Sequence, residues 1–314
     1  MRTSKKSSES SDLTEYRRFF AEEIEAVAKL RTPALVAALA AVPRERFLPP
    51  GPWTVLAGND FMPADSLWTM TTPDSDPRRV YHNIVVAIDP GRQLFNGQPS
   101  TLTAWMDMLG LAAGARVLHV GCGLGYYTAL LAQAVGPAGR VLGYEVDELL
   151  AAEARQNLAF MSWVEARHGD ASAAFDERFD AILVNAGVTH PLDAWLDALA
   201  PNGRMIVPLT SMMTAMGTNL GKGLAWLVTN GEDSGSLAAR NVGLVSIYSA
   251  VGIRDESLNE RLGKAMMAGP GQCRRSAVSG AMRTRRPPLA GSIRIAAACR
   301  ARNARVSGAF SSVV

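Results

Sequence analysis

Three glycines in five residues, Gly121-Cys-Gly-Leu-Gly125, stand where an apolar run ends and a helix-forming run begins. Glycine lets the backbone turn sharply and approach a ligand closely, and the helix that follows aims its N-terminus into the same space. Glu145 ends the next apolar run, where a carboxylate can accept hydrogen bonds from both hydroxyls of a ribose. Two ligands compete for such a site. A dinucleotide fingerprint reads G-x-G-x-x-G. Here the third glycine comes one position sooner, giving G-x-G-x-G, the spacing of S-adenosylmethionine sites, and that cofactor is the favoured one. Gly169-Asp170 follows the third apolar run and offers an acid for the adenine amino group, and Asn185 closes the fourth. In an open α/β sheet ligands sit beyond the carboxyl ends of the strands, so these residues are expected to converge. The expected cofactor contacts are His119, Gly121, Cys122, Gly123, Gly125, Tyr126, Glu145, Val146, Asp170, Ala171 and Asn185.

Each of the other reactive types also has a plainer role. His119 is read as a structural hydrogen-bonding group near the methionine end of the cofactor, in preference to a base. Cys122, between two glycines, is read as a small residue tolerated in a tight turn, in preference to a reactive thiol. Tyr126 and Tyr127 either pack under the cofactor or belong to the core. Thr189 and His190 either meet the methyl acceptor or cap the helix that follows. His82 and His168 are left unassigned. The three cysteines have no metal-ligand spacing, and no metal is expected.

The elements that would position these groups follow from periodicity. Leu13 to Arg31 has helical spacing, and a second helix, capped by Thr32 with Pro33 in its first turn, runs through Leu35, Val36 and Leu39. Residues 53–92 read as loops and short strands. Thr101 to Leu109 is a helix entered through Pro99 and Ser100. Strands are expected over 116–120, 140–145, 164–168, 179–185 and 203–207, and helices over 126–135, 148–160 and 192–199. Two apolar runs, 223–229 and 242–251, read as closing strands. Strands alternating with helices imply an α/β fold, Rossmann-like and doubly wound, with a mostly parallel sheet and an N-terminal helical extension.

At this point a resemblance enters. Leu35 to Pro49 resembles the N-terminal signature of the protein-L-isoaspartate O-methyltransferases, a helix followed by V-P-R-x-x-F-x-P. Gln98-Pro99 resembles their S-Q-P motif, and Val117 to Tyr126 their V-L-E-I-G-T-G-S-G-Y. Phe179 to Val184 and Asn202 to Pro208 resemble their later strands. The resemblance covers roughly residues 33–210. It implies a class I S-adenosylmethionine-dependent methyltransferase with an aspartyl or isoaspartyl carboxylate of a protein or peptide as acceptor. Two positions depart from the family: Gly97, preceded by Asn96, stands where it has a hydroxyl, and His119 where it has an acid. The chain is also similar to a divergent bacterial subgroup that reads N-G-Q-P-S and H-V-G-x-G-x-G-Y-Y-T. Alternatives are a small-molecule or natural-product peptide-tailoring methyltransferase, or a cofactor-binding protein without catalysis. A carboxylate is already ionised at neutral pH, so no catalytic acid or base is nominated. The Asn96, Gly97, Gln98 and Ser100 loop is expected to orient the acceptor.

The whole chain of 314 residues carries a net charge of +3, but unevenly. Residues 273–314 hold nine Arg and no Lys, Asp or Glu, leaving residues 1–272 with 23 basic and 29 acidic groups, a net of −6. The tail is read as disordered or translated out of frame, not as a nucleic-acid-binding arm. Residues 1–12 are read as a disordered lead-in, 13–92 as the extension, 93–255 as the methyltransferase domain and 256–314 as a C-terminal segment. No apolar run is long enough to span a bilayer and no secretory signal is present, so a cytoplasmic monomer acting on a protein or peptide, away from membranes and nucleic acid, is expected.

Overall fold

The computed structural model describes residues 5–56, 69–212, 219–231 and 236–267, so the Arg-rich tail and residues 1–4 lie outside the described residues. The chain divides into two units at Gly169/Asp170.

The first unit opens with α1 (Lys5–Ala28) and α2 (Pro33–Ala41). Residues 5–12 were expected to be a disordered lead-in and are helical instead. The Ser, Lys and Glu of this stretch contain no helix breaker, so the amphipathic turns beyond Leu13 can propagate backward. Phe20 and Ile24 are fully buried, as are Leu35 and Leu39 of α2. Thr32 does sit at the N-cap of α2, but its side chain makes no capping bond. The cap comes from Asp107, whose Oδ1 accepts the Arg31 and Thr32 amides, both at 2.9 Å. Four short antiparallel strands follow: β1 (Thr54–Leu56), β2 (Thr69–Thr71), β3 (Val85–Asp89) and β4 (Leu94–Phe95), in the order β2-β1-β3-β4. Then come α3 (Pro99–Leu109), β5 (Arg116–Val120), α4 (Tyr126–Val135), β6 (Arg140–Glu145), α5 (Glu148–Leu158) and β7 (Val164–His168). β6 pairs in parallel with β5 on one side and β7 on the other, with His119 opposite Gly143 and Glu145 opposite His168. The register brings the turn after β5 and the last residue of β6 to one edge.

The second unit holds β8 (Phe179–Val184), α6 (Asp193–Ala198), β9 (Leu199–Met212), β10 (Leu220–Asn230), β11 (Leu237–Tyr248) and α7 (Glu256–Met267). β8 and β9 are parallel, whereas β10 runs antiparallel to both β9 and β11. β9 extends well past the expected stop at Val207. Val188 N–H donates to Pro208 O at 3.0 Å and Val188 O accepts from Thr210 N–H at 2.9 Å, so the ladder passes over the proline and its missing donor. The first part of the expected C-terminal segment is a helix packed on β9. Asn259 Oδ1 accepts from Met212 N and from Arg254 Nη2, each at 2.8 Å. Arg254 also donates to Gly187 O and Thr210 O, at 2.6 and 2.7 Å. The fold class is the expected one, α/β with a Rossmann-like order of strands and helices.

Candidate cofactor and acceptor site

The turn after β5 is built on three positive-φ glycines, Gly121 (φ 79°), Gly123 (φ 54°) and Gly125 (φ 96°). A side chain at Gly125 would also collide with Leu158, whose Cδ1 lies 2.9 Å from the Cβ position. Glu145 holds the turn from the next strand. Its Oε2 accepts the Gly123 N–H at 2.7 Å and its Oε1 accepts the Asp147 N–H at 3.1 Å. Burial raises its pKa above the ordinary carboxylate value, and the backbone donors oppose that shift. Each oxygen keeps a further lone pair. Asp147 Oδ1 in turn caps α5 through the Leu150 N–H at 3.0 Å, and Asp147 Oδ2 takes an ion pair from Arg92, which also holds Asp89 at 2.6 Å. Val146, between the two acids, is exposed at 40%.

His119 is fully buried and its Nδ1 meets Thr128 Oγ1 at 2.8 Å, while its Nε2 is buried with no protein partner. Burial lowers its pKa to about 3, which excludes a charged imidazole at neutral pH. A histidine in the unfolded chain takes up a proton near pH 6.5, so between there and about pH 3 the unfolded chain binds a proton that the folded chain refuses. Stability attributable to His119 is therefore complete above pH 6.5 and lost as the pH falls through that window. Urea midpoints at pH 7 and pH 5 are expected to differ less in His119→Asn than in the native chain. Equal drops in the two proteins would remove His119 as the cause.

Cys122 is buried, and burial pushes its thiol up, so it stays protonated and serves as packing against Gly143. Tyr126 is 3% exposed and lies among Phe47, Tyr127 and the Arg44 guanidinium, with its hydroxyl buried and unpartnered.

The loop before α3 is tied down at three points. Asn96 exchanges bonds with Val86: its Oδ1 accepts the Val86 N–H at 2.8 Å and its own N–H donates to Val86 O at 2.9 Å. The hydroxyl of Tyr127, on the helix that leads from the glycine turn, donates to Gly97 O. Ser100 N–H donates to Asn83 Oδ1 at 3.0 Å. Gln98 is the N-cap of α3 and makes no side-chain cap bond. A Cβ at Gly97 would sit 2.5 Å from Leu102 Cδ2, so a residue with a side chain there requires the Leu102 side chain to shift.

Arg44 is a fully buried cation with no carboxylate on its guanidinium. Its Nη1 donates to Val80 O and His82 O at 2.6 and 2.9 Å, and its Nη2 to Ile84 O at 2.6 Å. Tyr127 is read from the sequence as a cofactor or core residue, not as an anchor of this loop, and neither Asn83 nor Arg44 is singled out as part of a site. Their partners are 17 to 40 residues away, so no local spacing announces them.

In the second unit, Asp170 is held below the usual carboxylate range by the hydroxyl and N–H of Ser172, whose amide it accepts at 3.0 Å. Ala171 takes a left-handed conformation (φ 56°), and its carbonyl accepts Trp195 Nε1 at 2.8 Å. Asn185 is half-buried just past the end of β8. Thr189 does not cap α6. Its hydroxyl instead accepts the Asp255 N–H at 3.0 Å, beside His190 Nδ1, because the chain before α7 reaches it first.

Residues 71–220 match the sequence model of the family described as Protein-L-isoaspartate(D-aspartate) O-methyltransferase. Protein-L-isoaspartate O-methyltransferase 1 of Anaeromyxobacter sp. is 34% identical over 185 residues, 57% of this chain and 74% of that protein. The chain belongs to the protein-L-isoaspartate O-methyltransferase family. The Gloeobacter violaceus member is 31% identical, again over 74% of its length and 56% of this chain. A solved protein-L-isoaspartate O-methyltransferase superposes with a TM-score of 0.57 at 23% identity, covering 79% of this chain and 69% of that one. A Plasmodium falciparum structure in complex with S-adenosyl-L-homocysteine gives 0.55 at 17% identity, covering 74% and 97%. These two show the fold. As a member of the family the chain is an S-adenosylmethionine-dependent methyltransferase that acts on protein. Among the described residues no helix is long and apolar enough to cross a membrane, and no cluster of side chains could hold a metal ion.

Proposed function

We propose that this family member methylates the side-chain carboxylate of an isoaspartyl or aspartyl residue in a protein or peptide, as a monomer in the cytoplasm and without nucleic acid. The observation that carries the reading is the coupling of two sites: Glu145 holds the glycine turn, and Tyr127, on the helix springing from that turn, holds the acceptor loop at Gly97. The residues fit the cofactor. Glu145 has acceptor capacity left for ribose hydroxyls, the glycine turn is open at Gly123, where the nearest neighbour of a Cβ is Ile88 at 3.6 Å, and His119 Nε2 is an orphaned buried nitrogen. Gly121, Cys122, Gly123, Gly125, Tyr126, Glu145 and Val146 would hold it.

When bound, S-adenosylmethionine supplies a sulfonium-activated methyl group. The acceptor carboxylate is ionised at neutral pH, so the chain needs no base to free its lone pair. Methyl transfer to a carboxylate would neutralise charge, so the chain's contribution is alignment and exclusion of water, worth up to roughly 7–11 kcal/mol of barrier. The Asn96–Ser100 loop, fixed at three points, is suited to that task.

Gly97 favours a second reading, a dedicated peptide or metabolite acceptor, since the family's hydroxyl is missing there. One experiment separates the two: labelled methyl transfer to an isoaspartyl peptide and its aspartyl twin, with S-adenosyl-L-homocysteine binding by calorimetry. Base-labile label on the isoaspartyl peptide is the expected result. Binding with neither peptide labelled would move the acceptor to the second reading, and no binding would overturn both.

A further inference from the structure

We propose that Asn83 is a positioning residue for the methyl acceptor, setting the Asn96–Ser100 loop through the first turn of α3; this rests on the reading of that loop given above. Arg44 fixes the backbone from which Asn83 projects. Its guanidinium gathers the carbonyls of Val80, His82 and Ile84, alternate residues of one short stretch, in bonds of 2.6 to 2.9 Å. A buried, forked cation with three fixed acceptors leaves that backbone little freedom. Ile84 N–H also donates to His82 O at 2.8 Å, closing a tight turn whose central residue is Asn83. The side chain of Asn83 therefore starts from a rigid base.

What it holds is the start of α3. Pro99 occupies the first helical position and Gln98 contributes no side-chain cap, so the Ser100 amide needs an acceptor from elsewhere. Asn83 Oδ1 supplies it at 3.0 Å. The other end of the loop is fixed on the same stretch, where Asn96 pairs with Val86. A segment of five residues is thus held at both ends by residues 83–86, with Tyr127 bonded to its second residue, Gly97. Without Asn83 the loop would keep its Asn96 and Gly97 anchors but swing at Ser100.

The test compares Asn83→Leu, which loses the acceptor, with Asn83→Asp, which keeps a side-chain oxygen at the same reach. For the isoaspartyl peptide, Asn83→Leu is expected to lower kcat/KM by about tenfold, with KM for the peptide rising and S-adenosyl-L-homocysteine affinity unchanged. Asn83→Asp should restore most of the loss. Amide hydrogen exchange across residues 96–101 should be faster in Asn83→Leu and native-like in Asn83→Asp. Unchanged kcat/KM, loss of cofactor affinity in step with activity, failure of the aspartate to rescue, or unchanged exchange would each overturn the proposal. If the native chain methylates no isoaspartyl peptide, the substrate reading fails and the acceptor role goes with it, while the exchange rates still show whether Asn83 sets the loop.

Discussion

Glu145→Ala is expected to weaken S-adenosyl-L-homocysteine binding by about 100-fold or more, measured by calorimetry on the folded protein. A hydrogen bond to a charged group contributes roughly 1.5–3 kcal/mol, and this carboxylate makes two to backbone amides before any ligand is counted. Losing them frees the Gly123 N–H, and with it the geometry of a turn that depends on positive φ at three glycines. The ribose contacts would be lost as well. Glu145→Gln should be nearly as damaging. An amide presents one oxygen, so its NH2 group must face either the Gly123 or the Asp147 donor, and that backbone N–H goes unmatched. Affinity within about threefold of native in either variant, against the 1.4 kcal/mol per tenfold scale, would mean that Glu145 is not the cofactor's anchor.

The second large effect is on stability. Arg44→Met keeps most of the stem volume and strands three carbonyls, that of Val80 buried and those of His82 and Ile84 partly buried. Each unsatisfied buried polar group costs about 1–3 kcal/mol, while removing a buried cation returns part of its desolvation cost. The expected net loss is about 3 kcal/mol. At about 2.1 cal/mol/K per residue, that lowers Tm by roughly 4–6 °C. Arg44→Lys should recover little, because a single ammonium cannot reproduce a fork that spans three alternate residues. A methionine variant that melted with the native protein would show that water or backbone adjustment satisfies those carbonyls.

How far the sequence discloses this molecule depends on the range of the interaction. β5, α4, β6 and β7 fall on the residues predicted for them, since an apolar run flanked by turn residues is a local property. The glycine turn and Glu145 are legible for the same reason, their spacing being chain chemistry. Boundaries shift where partners decide them. β9 continues through Pro208 because β10 pairs with it as far as Met212. α7 escaped notice because what fastens it is Asn259 on Met212 and Arg254 on residues 187 and 210. Asp107 as the cap of α2 lies some 75 residues from the amide it serves, and Asn83 as the cap of α3 is 17 away. Polar contacts of this kind leave no period in the sequence. The break before α3 is legible at Pro99, but the polar groups of Asn83 that hold it are not.

β11 ends the strand order of its unit among the described residues, and it is twelve residues long. A free edge of that length is a template on which a second chain can assemble into an aggregate. Several features work against that outcome. The ladder to β10 slips register between Ala225 and Trp226, and the bulge adds twist to the ribbon. Gly243, at φ 150°, interrupts the regular pleat close by, and Arg240 and Asn241 put a charge and an amide on the strand. The exposed Leu244 therefore sits on a bent edge, a poorer template for a further strand than a flat one would be.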